Sequence, residues 1–176
     1  MRRQRRAETS ELKKRRRIEV GPFATFYFEN FATMWQQVQE MLYIEKGGEA
    51  QIADELAAYN PLIPQGSELV ATVMFEIEDP ARRERELARL GGIENRAFIE
   101  VGGARIVGEA DPTRENTSPE GKASSVQFIR FPFTREQVAA FKAPGARVLV
   151  GFDHPNYGHM AALPEPVRAA LAEDFD

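Results

Sequence analysis

The chain contains no cysteine. That single absence removes disulfides, thiolate nucleophiles, iron–sulfur ligation by this chain and the cysteine-based structural zinc sites. Histidine is scarce as well: His154 and His159 are the only two, so a metal would have to rest on them and on carboxylates. No apolar run approaches the roughly 18 to 20 residues that a bilayer span needs. The basic opening MRRQRR leads into AETSELKKRRR rather than into an apolar signal core. A cytoplasmic location without a membrane partner is therefore expected. Phosphate-loop and nucleophile-elbow motifs are missing, and the pairs Gly47-Gly48, Gly91-Gly92 and Gly102-Gly103 lack the pattern of a phosphate cradle. Neither a cofactor nor a metal is expected.

What remains is a chain of 176 residues, 43% hydrophobic, which is the size and composition of one ordinary domain with a real core. Its charge is split. Residues 1 to 17 carry nine Arg or Lys against Glu8 and Glu11, a net of +7, while the rest carries 14 basic and 25 acidic residues, a net of −11, which together give −4. The reading is a basic N-terminal arm or helix over 1–17 and a single domain over 18–176. Such a split favours an arm that folds back on acidic surface or meets an acidic partner. Nucleic acid is disfavoured, because the body would repel phosphate and no aromatic residue interleaves the basic run.

Two periodicities alternate beyond the arm. VGPFATFYF (20–28) has strand composition, and FATMWQQVQEMLYIEK (31–46) places Phe31, Met34, Trp35, Val38, Met41 and Leu42 at helical spacing. This predicts a helix packing all six against a sheet, opened by a Thr33–Gln36 capping box and ended by Gly47-Gly48. A short helix from about Ala50 to Tyr59 stops at NPLIPQG. LVATVMFEI (69–77) alternates as a half-buried strand. Asp79-Pro80 starts a surface helix with Leu87 and Leu90 inward, and Gly102-Gly103 turns a hairpin between AFIEV and ARIVGEA. DPTRENTSPEGK (111–122) reads as a surface loop, SSVQFIRFPF (124–133) as a strand, Thr134 with Gln137 as the start of a helix, RVLVGFD (147–153) as the last strand, and LPEPVRAALAEDF as the closing helix. Without regular βαβ alternation, the fold class is α+β, a single domain with a largely antiparallel sheet of about six strands packed with helices.

The polar stretch GFDHPNYGHM (151–160) holds both histidines. Pro155 and Gly158 keep His154 and His159 from sharing a helix face, which weakens a metal reading. His154 oriented by Asp153 is a candidate acid or base. The competing reading is a polar turn in which the aspartate caps its own backbone and Tyr157 packs its ring.

The segments LKKRRRIEVGP, FEN (28–30), QVQEML (37–42), YNPLIPQG (59–66), ADPTREN to GKASSVQFIRF, and GFDHPNY together resemble an uncharacterised bacterial domain family of unknown function. Its genes commonly lie beside rubrerythrin and a heterodisulfide-reductase-like iron–sulfur protein. The resemblance runs from about Glu11 to the C-terminus. It implies an accessory role in a redox module, with an iron–sulfur or rubrerythrin-like protein as partner, and it singles out Glu29, Glu40, Asn60, Asp153, His154 and Tyr157 as candidate pocket residues. The family often carries His where this chain has Gln127, a departure that argues against a shared histidine metal site. Two functions follow. One is a non-catalytic partner-binding protein; the other is a small-ligand binder or enzyme, with or without a metal, that uses a His/Asp/Tyr cleft around DHPNY.

Overall fold

A computed structural model describes residues 1–176. Along the chain run α1 (Arg2–Lys14), β1 (Arg17–Val20), β2 (Ala24–Glu29), α2 (Phe31–Glu45), α3 (Gly48–Tyr59), β3 (Glu68–Phe75), α4 (Pro80–Ala88), β4 (Ala97–Val101), β5 (Ala104–Val107), β6 (Glu109–Ala110), β7 (Val126–Pro132), α5 (Arg135–Lys142), β8 (Leu149–His154), β9 (Tyr157–Ala162) and α6 (Glu165–Ala172). The fold is α+β. Its strands form two sheets, of order β1-β2-β3-β7-β6 and β5-β4-β8-β9, and every pairing is antiparallel. The expected sheet of about six strands is thus nine strands in two layers.

The two sheets bury one shared core. Phe26, Phe28, Val73, Phe75, Ile129 and Phe131 from the five-stranded sheet join Ile99, Val150, Phe152 and Tyr157 from the four-stranded one. Phe152 stands 5.1 Å from Phe26 and 5.8 Å from Phe75, centroid to centroid, so aromatic contacts stitch the layers together. The other face of the five-stranded sheet is covered over β3, where Met34 of α2 and Leu62, just beyond α3, pack on Val70. This corrects the half-buried reading of β3. Thr72, on its supposed wet face, is only 7% exposed, because a strand roofed on both sides is buried on both sides.

Local signals read correctly where the cap is chemical. Asp79 accepts from the Arg82 amide, Thr134 and Gln137 form a reciprocal capping box, and Gly102 and Gly103 both take positive φ in the β4–β5 turn. Leu87 and Leu90 are buried as expected.

Helix α2 departs from expectation in three ways. Its capping box is formed by Asn30 and Thr33 rather than by Thr33 and Gln36, and its end is Lys46 at φ 54° rather than a glycine. Only Met34 and Val38 of its apolar set are fully buried, whereas Phe31 is 64% and Trp35 48% exposed. The inward stripe is narrower than the apolar one, since α2 is a roof touched from below and from its flanks and nothing covers its top.

The basic arm is helical over α1, with no buried residue of its own. Its last two arginines belong to the folded body. Arg17 begins β1, and the Arg16 guanidinium is buried, donating to both Asp174 carboxylate oxygens and to the Phe28 and Glu29 carbonyls.

Candidate functional site

The sequence DHPNY is not a loop beyond the last strand; it is the tight connection between β8 and β9. His154 and Tyr157 are paired across it, leaving Pro155 and Asn156 as a two-residue turn. The strand β9 escaped notice because it is an edge strand whose Gly158, His159 and Met160 are all exposed, so no apolar alternation marks it. Asn156 and Pro155 keep negative φ, as proline must.

The side chains of this turn diverge. His154 points inward: its Nδ1 accepts the Asn156 amide at 3.1 Å, which assigns the proton to Nε2, and Nε2–H donates to the Gly91 carbonyl at 3.0 Å. Both ring nitrogens are therefore engaged by backbone. Asp153 faces outward to Arg105 at 3.3 Å and does not orient His154. Tyr157 is 2% exposed, and its hydroxyl donates to the Val20 carbonyl at 2.5 Å and accepts from the Phe23 and Ala24 amides at 3.2 and 3.0 Å. Burial raises its phenol above the ordinary range. His159 is exposed, with its ring edge-on to Tyr157 at 4.6 Å between centroids.

Gly21 explains why the contact is so close. It sits in the β1–β2 turn at φ +70°, and a Cβ there would lie 2.7 Å from the Tyr157 hydroxyl.

The remaining candidates lie elsewhere. Glu29 is at the far end of β2 from Ala24, about 17 Å along the strand from the Tyr157 contact. It lines a cavity of about 410 Å³ between the outer face of the five-stranded sheet and the helices above it. Its carboxylate accepts from Thr33 Oγ1 at 2.5 Å and from Thr72 Oγ1 at 3.2 Å, and only 8% of the residue is exposed. The apolar walls are Met34, Leu62, Met74 and Phe128. Glu40 is not in this cavity. It takes a bond from Arg2 at 2.8 Å and from Gln36 at 2.9 Å, and so fastens α1 to α2. Asn60 is exposed at the end of α3, where its main chain continues the helical bonding to Leu56.

Of the six candidates, then, Asp153, His154 and Tyr157 share one turn, and Glu29, Glu40 and Asn60 occupy three separate places. Gln127 is fully buried on the core face of β7, donating to the Asn116 and Ser124 carbonyls, while its Oε1 has no partner. No three His, Asp or Glu side chains come together at a distance suited to a metal ion. Sequence reasoning missed Thr33 and Thr72, which cradle Glu29. Thr72 carried a signal in hindsight, being a hydroxyl in the middle of an apolar strand.

The model of DUF3501, a protein family of unknown function, matches residues 1–175. The crystal structure of a novel protein of unknown function from Burkholderia pseudomallei K96243, determined at 1.90 Å resolution, is 41% identical. It superposes with a TM-score of 0.91, covering 99% of this chain and 91% of that one. No curated protein matches the sequence. Since the family match takes in residues 1–175, the chain belongs to the DUF3501 family.

Proposed function

We propose that this protein is a non-catalytic partner-binding protein that docks, through the top of α2, on an iron–sulfur or rubrerythrin-like redox protein. The observation that supports docking is the Phe31–Trp35 pair. The two rings stack at 6.1 Å on successive turns of α2, yet remain 64% and 48% exposed. Large aromatic side chains standing in water are the residues that dominate interface energies once covered. Exposed Ile52 and Leu56 on neighbouring α3 extend the apolar character of this helical layer. The redox class of the partner rests on the resemblance, and the basic α1 beside α2 fits a partner with acidic surface.

A cleft enzyme built on DHPNY is the weaker reading. The hydrogen-bonding groups of His154 and Tyr157 are occupied by main chain, and Asp153 points away from both.

Trp35 is the only tryptophan, so its fluorescence reports on this face alone. Titrating the protein with the host's iron–sulfur protein, and separately with its rubrerythrin, should shift the emission to the blue for one of them as the indole is desolvated. Phe31→Ser should weaken that binding at least about tenfold, the scale of one interface hot spot. An unshifted spectrum with both proteins would overturn the proposal. So would a shift that appears on concentrating the protein alone, since the face would then serve self-association.

A further inference from the structure

We infer that the cavity beneath α2 is a binding site for a small organic monoamine with an apolar body, its ammonium seated on Glu29. This goes beyond the docking face and rests on other residues, since neither Phe31 nor Trp35 lines the cavity.

The first support is the state of Glu29. A carboxylate offers roughly four lone-pair positions, and the hydroxyls of Thr33 and Thr72 occupy two at most. The residue is 8% exposed, yet no Lys, Arg or His pairs with it. Arg16 also borders the cavity, but its four hydrogen bonds go to Asp174 and to the Phe28 and Glu29 main-chain carbonyls, and none reaches the Glu29 carboxylate. A buried carboxylate without a cation is costly, and a ligand that brings the cation relieves that cost.

The second support is the wall. Met34, Met74, Leu62 and Phe128 offer thioether, aliphatic and aromatic surface to a hydrocarbon or aryl body, and Tyr27 and Tyr59 border the same space. At about 410 Å³ the cavity falls within the range of small-molecule sites, about 300 to 1,000 Å³. Lys13 stands exposed at the rim. Its charge disfavours a second cationic end, which selects monoamines over polyamines.

Calorimetric titration of the full chain with phenethylamine and with 2-phenylethanol, its neutral counterpart, tests this. Phenethylamine should bind saturably at one site and the alcohol at least about tenfold more weakly, the difference a charge-assisted hydrogen bond makes. Glu29→Gln should lower amine affinity by a similar factor. Val126→Trp, placed on the partly exposed cavity rim away from Glu29, should block binding with the fold intact, and it decides the matter if Glu29→Gln does not fold. Phe31→Ser should leave amine binding unchanged, which separates failure here from failure of the docking face. Absent saturable binding of phenethylamine, equal affinity for the alcohol, or undiminished binding in Val126→Trp would each overturn the inference.

Discussion

Tyr157 donates its hydroxyl proton to the carbonyl oxygen of Val20 at 2.5 Å, tying the β8–β9 hairpin of one sheet to the β1–β2 turn of the other. The same oxygen receives the Phe23 and Ala24 amides. Tyr157→Phe keeps the ring and strands three buried backbone groups, so the expected loss is about 1 to 3 kcal/mol in urea unfolding. A loss below about 0.5 kcal/mol would mean that the turn finds other partners.

The same phenol sets an alkaline limit on the fold. Burial raises the Tyr157 phenol above the ordinary value of about 10, so the group contributes stability that is fully present below that unfolded-state value and is lost as pH rises through the folded-state pKa. Burial and the neighbouring Glu76 raise the Tyr27 phenol as well, so absorbance at 295 nm should show two raised tyrosines, of which Tyr157 ionises together with loss of structure. Tyr157→Phe should remove the component that coincides with unfolding and leave that of Tyr27.

Arg16 and Asp174 form the deepest ion pair of the molecule, with side chains 2% and 5% exposed. Burial pushes the Asp174 carboxyl up, and Arg16 opposes that push. Arg16→Met leaves the carboxylate and two main-chain carbonyls without their donor, and should cost about 3 to 5 kcal/mol. Adding Asp174→Leu should recover part of it, giving a coupling of about 1 kcal/mol or more in a double-mutant cycle.

Trp35 and Phe26 should separate sharply. Phe26 is fully buried between the sheets, and truncation to Ala should cost about 3 to 5 kcal/mol. Trp35→Ala should change stability by no more than about 0.5 kcal/mol, as exposed substitutions do, while impairing docking. A Trp35 variant as unstable as the Phe26 variant would place the indole in a core.

Deleting residues 1–10 should shift the melting temperature by only a few degrees. Helix α1 has no buried residue, and its tethers in this region are the surface pairs Arg2–Glu40 at 2.8 Å and Arg6–Glu40 at 3.9 Å and the Arg2 guanidinium over the Tyr43 ring at 3.7 Å. An exposed pair contributes up to about 1 kcal/mol and is screened by salt. The small shift should therefore shrink further in high salt, which calorimetry would measure.

Local chemistry was legible in the residues themselves. Asp79 before Pro80, Thr134 three residues before Gln137, and the glycine pair at 102 and 103 each specify a cap or turn through groups that bond within a few residues, so no distant partner is needed. The α+β class followed in the same way, from the succession of periods 2 and 3.6. Tertiary structure alone decided the rest, because burial depends on what arrives from elsewhere in the chain. Phe31 and Trp35 carry the same helical spacing as Met34 and Val38, yet only the latter pair is buried, Met34 against Val70 of the sheet. DHPNY looked like a site because polar residues crowd it, and its His154 and Tyr157 side chains turn inward only because Gly91 and the Val20 turn supply carbonyls from 63 and 137 residues away. Glu29 gained its significance from Thr72, 43 residues on, which comes beside it only when β2 pairs with β3, and from a roof of helices that closes over both.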